Sequence, residues 1–334
     1  MNIIPNKILA PLTTFGIGGK ALFCAEIGSM DELNQALAFA KEKQLPIQVL
    51  GGGSNVLISD DGFKGLVIVN RMKGMRISES GLVKVFAGEN WDEVVAQSVA
   101  QNLAGIECLS GIPGTAGGAL VQNVGAYGQT LSEKVLGVEC VELATGHVKS
   151  FLPQDCAFEY RNSYFKSNPN KYMVVSFALQ LQFEGKPTIT YPDIVKNALP
   201  EATLSQVRDL VLKIRDNKGY LLTSGYKTAG SFFKNPIVTQ AQFESLLPIL
   251  GDASLNRYWS TTKGIKIAAA FLMQEAGFTK GYKEGNVGIS PKHSLSIVNL
   301  GNAKAIEVKN FAKKIRETVL KKFGVELEEE VLYI

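Results

Sequence analysis

SGIPGTAGGALVQNVGAYG, residues Ser110 to Gly128, decides how this chain is read. Glycine stands at 111, 114, 117, 118, 125 and 128, and no side chain in the stretch carries a charge. Glycine loses more backbone freedom on folding than any other residue, so such density needs a physical reason. Close approach of backbone to a ligand is one, with main-chain N–H groups doing the binding. A second run, Gly51-Gly52-Gly53-Ser54-Asn55, follows the apolar stretch Ile47–Leu50. Two such loops in one half of a chain point to a large phosphate-bearing ligand held by main chain.

Outward from these loops, residues 1–67 read as a small α/β unit. Ser29-Met30-Asp31-Glu32 is a capping-box pattern, and Leu33, Ala36, Leu37 and Ala40 follow at helical spacing. Pro46 opens the strand that runs into the triple glycine, and Val67–Val69 reads as another. Residues 68–200 are richer in strands: Val83–Ala87, Val135–Leu143 and Val174–Phe183 are β-branched and alternating. Asn90 and Glu93 open a helix with Val95, Val99 and Leu103 on its apolar face, and Thr145-Gly146 reads as a hairpin turn. Near 200 a boundary is expected. Pro200 precedes a second capping box, Thr203 to Gln206, and a helix with Val207, Leu210, Val211 and Ile214 on one face. Residues 201–334 then read as a smaller α/β unit. Its helices are expected near 263–276 and 303–323, and Gly324 ends the second.

The 334 residues are 46% hydrophobic and 20% charged, which is ordinary for a soluble globular protein of two or three domains. The net charge of +4 suits an acidic small-molecule ligand and argues against a nucleic-acid partner. Lys313-Lys314 and Lys321-Lys322 fall on the solvent face of an amphipathic helix. Cys24, Cys108, Cys140 and Cys156 are isolated and the histidines are His147 and His293, so no metal-site spacing exists. Reduced thiols and a cytoplasmic location are expected. The N-terminus lacks a signal-peptide pattern and no apolar run reaches the length of a membrane span, so no membrane partner is expected.

Two familiar nucleotide patterns fail on context. Gly16-Ile17-Gly18-Gly19-Lys20-Ala21 fits G-x-G-x-x-A, but Pro11 and two threonines precede it and a strand-like run follows, so it reads as a tight turn. Gly225 to Ser231 resembles a P-loop without the lysine after its second glycine. Neither histidine lies near a plausible nucleophile, so a hydrolase triad has no support.

Gly230-Ser231-Phe232-Phe233-Lys234-Asn235-Pro236 resembles the signature of the UDP-N-acetylenolpyruvoylglucosamine reductase family, flavoenzymes of peptidoglycan synthesis. Other segments are similar to that family's motifs, in its order: Thr14–Gly19, Leu50–Leu57, Ser110–Gly128, Tyr160–Phe165 and Glu328–Val331. The likeness spans nearly the whole chain. It implies an α+β fold: a two-part FAD-binding module of the vanillyl-alcohol-oxidase/p-cresol-methylhydroxylase type (residues 1–67 and 68–200), then a smaller α/β substrate-binding domain (201–334). It also implies FAD as cofactor and NADPH as co-substrate, and that NADPH and the UDP-sugar occupy one cleft in turn. The reaction would carry hydride from NADPH through the flavin to the vinyl carbon of the enolpyruvyl ether, giving UDP-N-acetylmuramate.

By that resemblance, Ser231 matches the proton donor, Arg161 the arginine that meets the substrate carboxylate or enolate, and Glu330 the C-terminal catalytic glutamate. A serine hydroxyl is a weak acid and can protonate only a strongly basic carbon, such as an enolate offers. Arginine suits the second role because its fork is planar and permanently charged. Strand alternation puts Glu328 and Glu330 on one face, and the motif selects Glu330, which directly precedes Val331. The family commonly has proline where Glu329 stands. Lys218 matches a diphosphate-binding lysine and Tyr191 the tyrosine of a substrate-covering loop. Asn235 is expected either to bind substrate or to cap a turn. For FAD, the resemblance selects Gly51, Gly52, Gly53, Ser54, Asn55, Ser110, Gly111, Gly114, Thr115, Gly117, Gly118, Asn123, Gly125, Ala126 and Tyr127. Neither loop holds a histidine, so the flavin is expected to be non-covalent, and a monomer is the expected state. The competing readings are another flavin oxidoreductase of the same fold, or a catalytically silent nucleotide-sugar binding protein. The first has no use for Lys218 and Tyr191, and the second none for Arg161, Ser231 and Glu330.

Overall fold

The computed structural model describes residues 1–252 and 257–334. The chain divides into two compact units. One is Met1–Ile8, Lys20–Gly53 and Phe63–Ser224; the other is Leu9–Gly19, Ser54–Gly62 and Gly225–Ile334. These limits are cut elsewhere than at 67 and 200, for reasons of packing. Leu204–Asn217, the helix expected to open the last domain, buries Val207 and Val211 with Cys108, Tyr127, Ile194 and Ala202 of the first unit. Leu9–Gly19 and Ser54–Gly62 send Phe15, Ile17 and Leu57 into the core built by Phe232, Phe233, Ile267 and Ile315.

The first unit holds two main sheets. In one, Ile3–Ile8, Lys20–Ile27, Phe63–Asn70 and Ile47–Leu50 lie in that order, the first pair antiparallel and the others parallel. Met30–Glu42 covers it, burying Leu33, Ala36, Leu37 and Ala40 as its spacing predicts. Ser29 accepts from the Glu32 N–H at 3.2 Å, while the Glu32 carboxylate reaches past it to the Gly28 N–H at 2.6 Å. The other sheet is antiparallel, in the order Val148–Phe151, Val135–Glu142, Tyr172–Gln180, Leu82–Phe86, Met75–Ile77. Thr145-Gly146 turns its hairpin, with the Gly146 N–H donating to the Glu142 carbonyl at 2.8 Å. Trp91–Ala100 packs here, capped by Asn90. It stops before Leu103, which pairs instead in a short strand with Phe183.

In the second unit, Lys227–Thr228, Ile297–Asn299, Val287–Ile289 and Lys283–Glu284 form one sheet in that order. A smaller sheet holds Ile237–Val238, Gly264–Ile267 and Tyr258–Thr261. The helix expected over 263–276 begins only at Ala269, because 264–267 pairs as a strand. Ala305–Phe323 buries Val308, Phe311, Ala312, Ile315 and Val319 and ends at Gly324 with φ +66°. Its first N–H groups donate to the Asp60 carboxylate, Ala305 at 2.8 Å and Ile306 at 3.1 Å. Gly19 in the Gly16–Ala21 segment permits close packing, since a Cβ there would lie 2.2 Å from the Asp60 carbonyl oxygen. Among the described residues, no helix is long and apolar enough to cross a membrane.

Candidate active site

In the first unit the two glycine loops meet. A Cβ on Gly51 would lie 2.6 Å from Thr115 Oγ1, and one on Gly52 would lie 2.6 Å from Gly114 Cα. Gly117 approaches Ala87 to 2.7 Å, Gly111 approaches Leu221 to 2.8 Å, and Gly128 approaches Thr190 Oγ1 to 2.5 Å on the same measure. Much of the glycine density therefore serves the approach of chain to chain rather than of chain to ligand. Several polar groups of the segment are also engaged within the protein. The N–H of Gly111 donates to Asp92 at 2.6 Å, and that of Gly117 to the Ala87 carbonyl at 2.8 Å. Ser110 Oγ donates to the Glu107 carbonyl, and Asn123 holds Glu159 and Ser132 through its two carboxamide atoms.

Room for a ligand remains at Gly118, where a Cβ would meet only Thr115 Oγ1, at 3.5 Å. Beside Gly111 lies Arg215, 8% exposed, whose Nε is buried without a hydrogen-bond partner. A buried cation with an unpaired N–H suits a polar or anionic group of a bound molecule. Both observations fit FAD, the cofactor the sequence implies. Arg215 escaped the sequence reading, although it continues the i, i+4 row of Val207 and Val211 and so belongs on the buried face.

Tyr127 is buried, and its ring packs edge-on against Tyr191 with centroids 5.3 Å apart. Lys218 Nζ sits 5.7 Å from the centroid of Tyr127 and Arg215 hydrogen-bonds its hydroxyl. Burial pushes both the Tyr127 and the Tyr191 phenol upward. Tyr191, expected at a strand end or in a mobile loop, caps the short helix Pro192–Asn197. Arg161 stands at φ +56°, a left-handed conformation that a non-glycine residue holds only under constraint. Its guanidinium donates to the Gly125 carbonyl at 2.7 Å, which ties it to the glycine-rich segment, and it lies over the Tyr160 ring.

In the second unit the segment that follows Ser231 pairs with the segment that holds Glu330. The Glu330 N–H donates to the Phe232 carbonyl and the Lys234 N–H to the Glu328 carbonyl, at 2.8 and 2.9 Å, flanking an antiparallel bridge between Phe233 and Glu329. Ser231 and Glu330 are both half-buried. Gly230 has φ +78°, so glycine is required there by conformation and not by crowding. On the other side of Phe232, its N–H donates to the Leu295 carbonyl at 2.8 Å. Asn235 accepts from the Ala269 N–H at 3.0 Å, capping a helix distant in sequence. Asn55 donates to the Glu330 carbonyl at 3.2 Å.

Comparison with known proteins agrees with this geometry. A family model described as FAD binding domain matches residues 21–151. One described as UDP-N-acetylenolpyruvoylglucosamine reductase, C-terminal domain, matches residues 222–334. The UDP-N-acetylenolpyruvoylglucosamine reductase of Thermobifida fusca is 36% identical over 347 residues, covering 98% of this chain and 97% of that protein. The reductase of the same name from Pseudomonas aeruginosa is 36% identical over 330 residues, covering 96% of each. The crystal structure of the Thermus caldophilus UDP-N-acetylenolpyruvylglucosamine reductase superposes with a TM-score of 0.70 at 25% identity, covering 99% of this chain and 98% of that one. Full-length likeness to such relatives, on a fold with an FAD-binding module, shows that the chain belongs to the UDP-N-acetylenolpyruvoylglucosamine reductase family.

Proposed function

We propose that this protein reduces UDP-N-acetylenolpyruvoylglucosamine to UDP-N-acetylmuramate, with FAD as cofactor and NADPH as reductant. The observation that supports the reading is the pairing of 232–234, directly after Ser231, with 328–330. That pairing sets the segment after Ser231 beside the one that holds Glu330, and the hydroxyl and carboxyl of these two residues suit a protonation step. FAD, when bound, supplies the hydride that reaches the vinyl carbon, after taking it from NADPH. Ser231 Oγ then gives its proton to the other carbon of the former double bond, which lies beside the carboxylate. Arg161 offsets the charge that develops on that carboxylate, and Glu330 supports the protonation. The main chain of 51–55 and 114–128, with Ser110, Gly111 and Arg215, holds the FAD. Lys218, Tyr191 and Asn235 receive the UDP-sugar. The four cysteines are unpaired and buried, which supports a reducing, cytoplasmic setting. The enzyme is read as a monomer.

Absorbance and half-reactions test this. The purified protein should carry or take up flavin, which NADPH reduces and the enolpyruvyl substrate reoxidises. Ser231→Ala should keep the reduction and lose the reoxidation. A colourless protein that binds no flavin would end the reading, and intact half-reactions in Ser231→Ala would end the proton-donor assignment.

A further inference from the structure

In the first unit, three side chains converge on Thr188. The Thr188 N–H donates to the Glu107 carboxyl at 2.7 Å, its hydroxyl accepts from Gln129 Nε2 at 3.0 Å, and its carbonyl accepts from the Cys108 thiol at 3.4 Å. Two of the three are tied down in the interior by further bonds. Glu107 is fully buried, and its other carboxyl oxygen takes the Gly105 N–H at 2.7 Å. Gln129, also buried, accepts the Cys108 N–H at 2.7 Å. Among the described residues, 186–190 make no main-chain to main-chain hydrogen bond, so side chains supply the polar attachment at Thr188. Tyr191 lies midway in sequence between Thr188 and Ile194, which is buried with Val207 and Val211. Ile189 packs in the same cluster, but apolar packing is non-directional, whereas hydrogen bonds fix direction. Beyond Tyr191 the polar hold is the Asp193–Lys218 pair. A diphosphate that takes Lys218 from Asp193 releases that hold, and the one at Thr188 remains.

We propose that Glu107 and Gln129 are positioning residues for Tyr191: by fixing Thr188 they keep the tyrosine in place for the UDP-sugar when Asp193 gives up Lys218. Neither touches the sugar nucleotide. This rests on the reductase reading above.

The test uses full-length, flavin-loaded Thr188→Val, which keeps the branched shape and removes the hydroxyl that Gln129 holds. The Thr188 amide should exchange faster with solvent, while the amides of helix Ala116–Gln122 should not. UDP should bind about two- to tenfold more weakly by calorimetry, the scale of one hydrogen bond. In a Tyr191→Ala background the same substitution should change UDP affinity by less than about twofold, because its effect passes through Tyr191. Thr188→Ser, which keeps the hydroxyl, should bind UDP as the parent does. Glu107→Gln sets an amide NH2 against one of the two N–H groups the carboxyl accepts, and should behave as Thr188→Val does. Unchanged exchange, unchanged UDP affinity, or an equal loss with and without Tyr191 would each overturn the proposal. So would a loss of flavin in Thr188→Val, which would assign the network to the cofactor. If Thr188→Val does not fold, Thr188→Ala goes through the same cycle with the same outcomes. Failure of the underlying reading is separate: the parent protein itself would not bind UDP.

Discussion

Lys218 Nζ lies 2.7 Å from the Asp193 carboxylate, so the lysine proposed to receive a diphosphate already holds an anion of the chain's own. Asp193 follows Tyr191 by two residues, and the Tyr191 ring packs on Tyr127, over which the same lysine sits. A diphosphate arriving at Lys218 would exchange with Asp193 rather than meet a bare cation. Asp193→Asn should therefore tighten UDP binding. Both partners are partly exposed, and such pairs are worth about 0.2–1 kcal/mol, so the gain should be about 1.4- to fivefold in Kd. Calorimetry with UDP at low salt measures it. Weaker binding in the variant would mean that Asp193 helps to seat the ligand.

The glycines separate into two kinds, and substitution should tell them apart. At Gly52 an added Cβ meets main chain at 2.6 Å, where nothing flexible can give way. Gly52→Ala should cost about 1–3 kcal/mol by overpacking, seen as a fall of several degrees in the melting temperature of the flavin-free protein. At Gly118 an added methyl meets only Thr115 Oγ1 at 3.5 Å, and the residue lies within helix Ala116–Gln122. Alanine is favoured there by about 1 kcal/mol, so flavin-free Gly118→Ala should melt no lower than the parent. If this face receives FAD, the same variant should nevertheless bind flavin more weakly, and unchanged flavin affinity would place the cofactor elsewhere.

Local signals in the sequence were read well, and long-range ones poorly, for a physical reason. Caps at Ser29, Asn90 and Thr203, and the buried row Leu33, Ala36, Leu37 and Ala40, depend on neighbours within a turn or two. Thr203 and Gln206 form the reciprocal box in full, at 3.3 and 2.8 Å. Leu9–Gly19 and Ser54–Gly62 join the C-terminal core through Phe15, Ile17 and Leu57, and no periodicity announces a partner more than two hundred residues away. The site divides likewise. Ser231, Arg161 and Glu330 stood out by motif, whereas the Asn55 carboxamide bond to the Glu330 carbonyl joins residues 275 apart and has no local signal. Asp92 gave no sign of binding Arg208 and Gly111, because those contacts exist only once the helix Leu204–Asn217 is docked.

That docking predicts an acid limb of stability. Asp92 takes both arms of Arg208, at 2.7 and 2.9 Å, and the Gly111 N–H at 2.6 Å. Burial pushes its carboxyl up, but the Arg208 hydrogen bonds, the Gly111 N–H and the charges of Arg208 and Arg215 outweigh it and hold the group below the usual carboxylate range. A depressed carboxylate stabilises the fold above its unfolded pKa, near 3.8, and that contribution fades as pH falls through the folded value. Asp92→Asn should lower stability at neutral pH by about 1–3 kcal/mol, the range for hydrogen bonds to a charged group. It should also flatten the decline below pH about 4. Urea melts of both proteins from pH 7 to 3 check this, and parallel curves would deny Asp92 the role.

Glu329 stands where the family commonly has proline, and the bridge around it explains how both residues can serve. The ladder bonds flanking the Phe233–Glu329 pair use the Glu328 carbonyl and the Glu330 N–H. None uses the Glu329 N–H, which is the group proline lacks. The glutamate side chain adds contacts of its own, to Arg316 at 3.5 Å and to the Tyr333 hydroxyl, which with burial pushes that phenol well above its ordinary value. Glu329→Pro should therefore exchange those contacts for a stiffer backbone, with a net change within about 1 kcal/mol. The half-reactions should survive, since the main-chain bonds that place Glu330 remain. The Tyr333 titration should move back toward that of a free phenol, measurable by ultraviolet difference absorbance against Tyr333→Phe. A variant that folds but cannot be reoxidised by substrate would show instead that the Glu329 side chain takes part in holding Glu330.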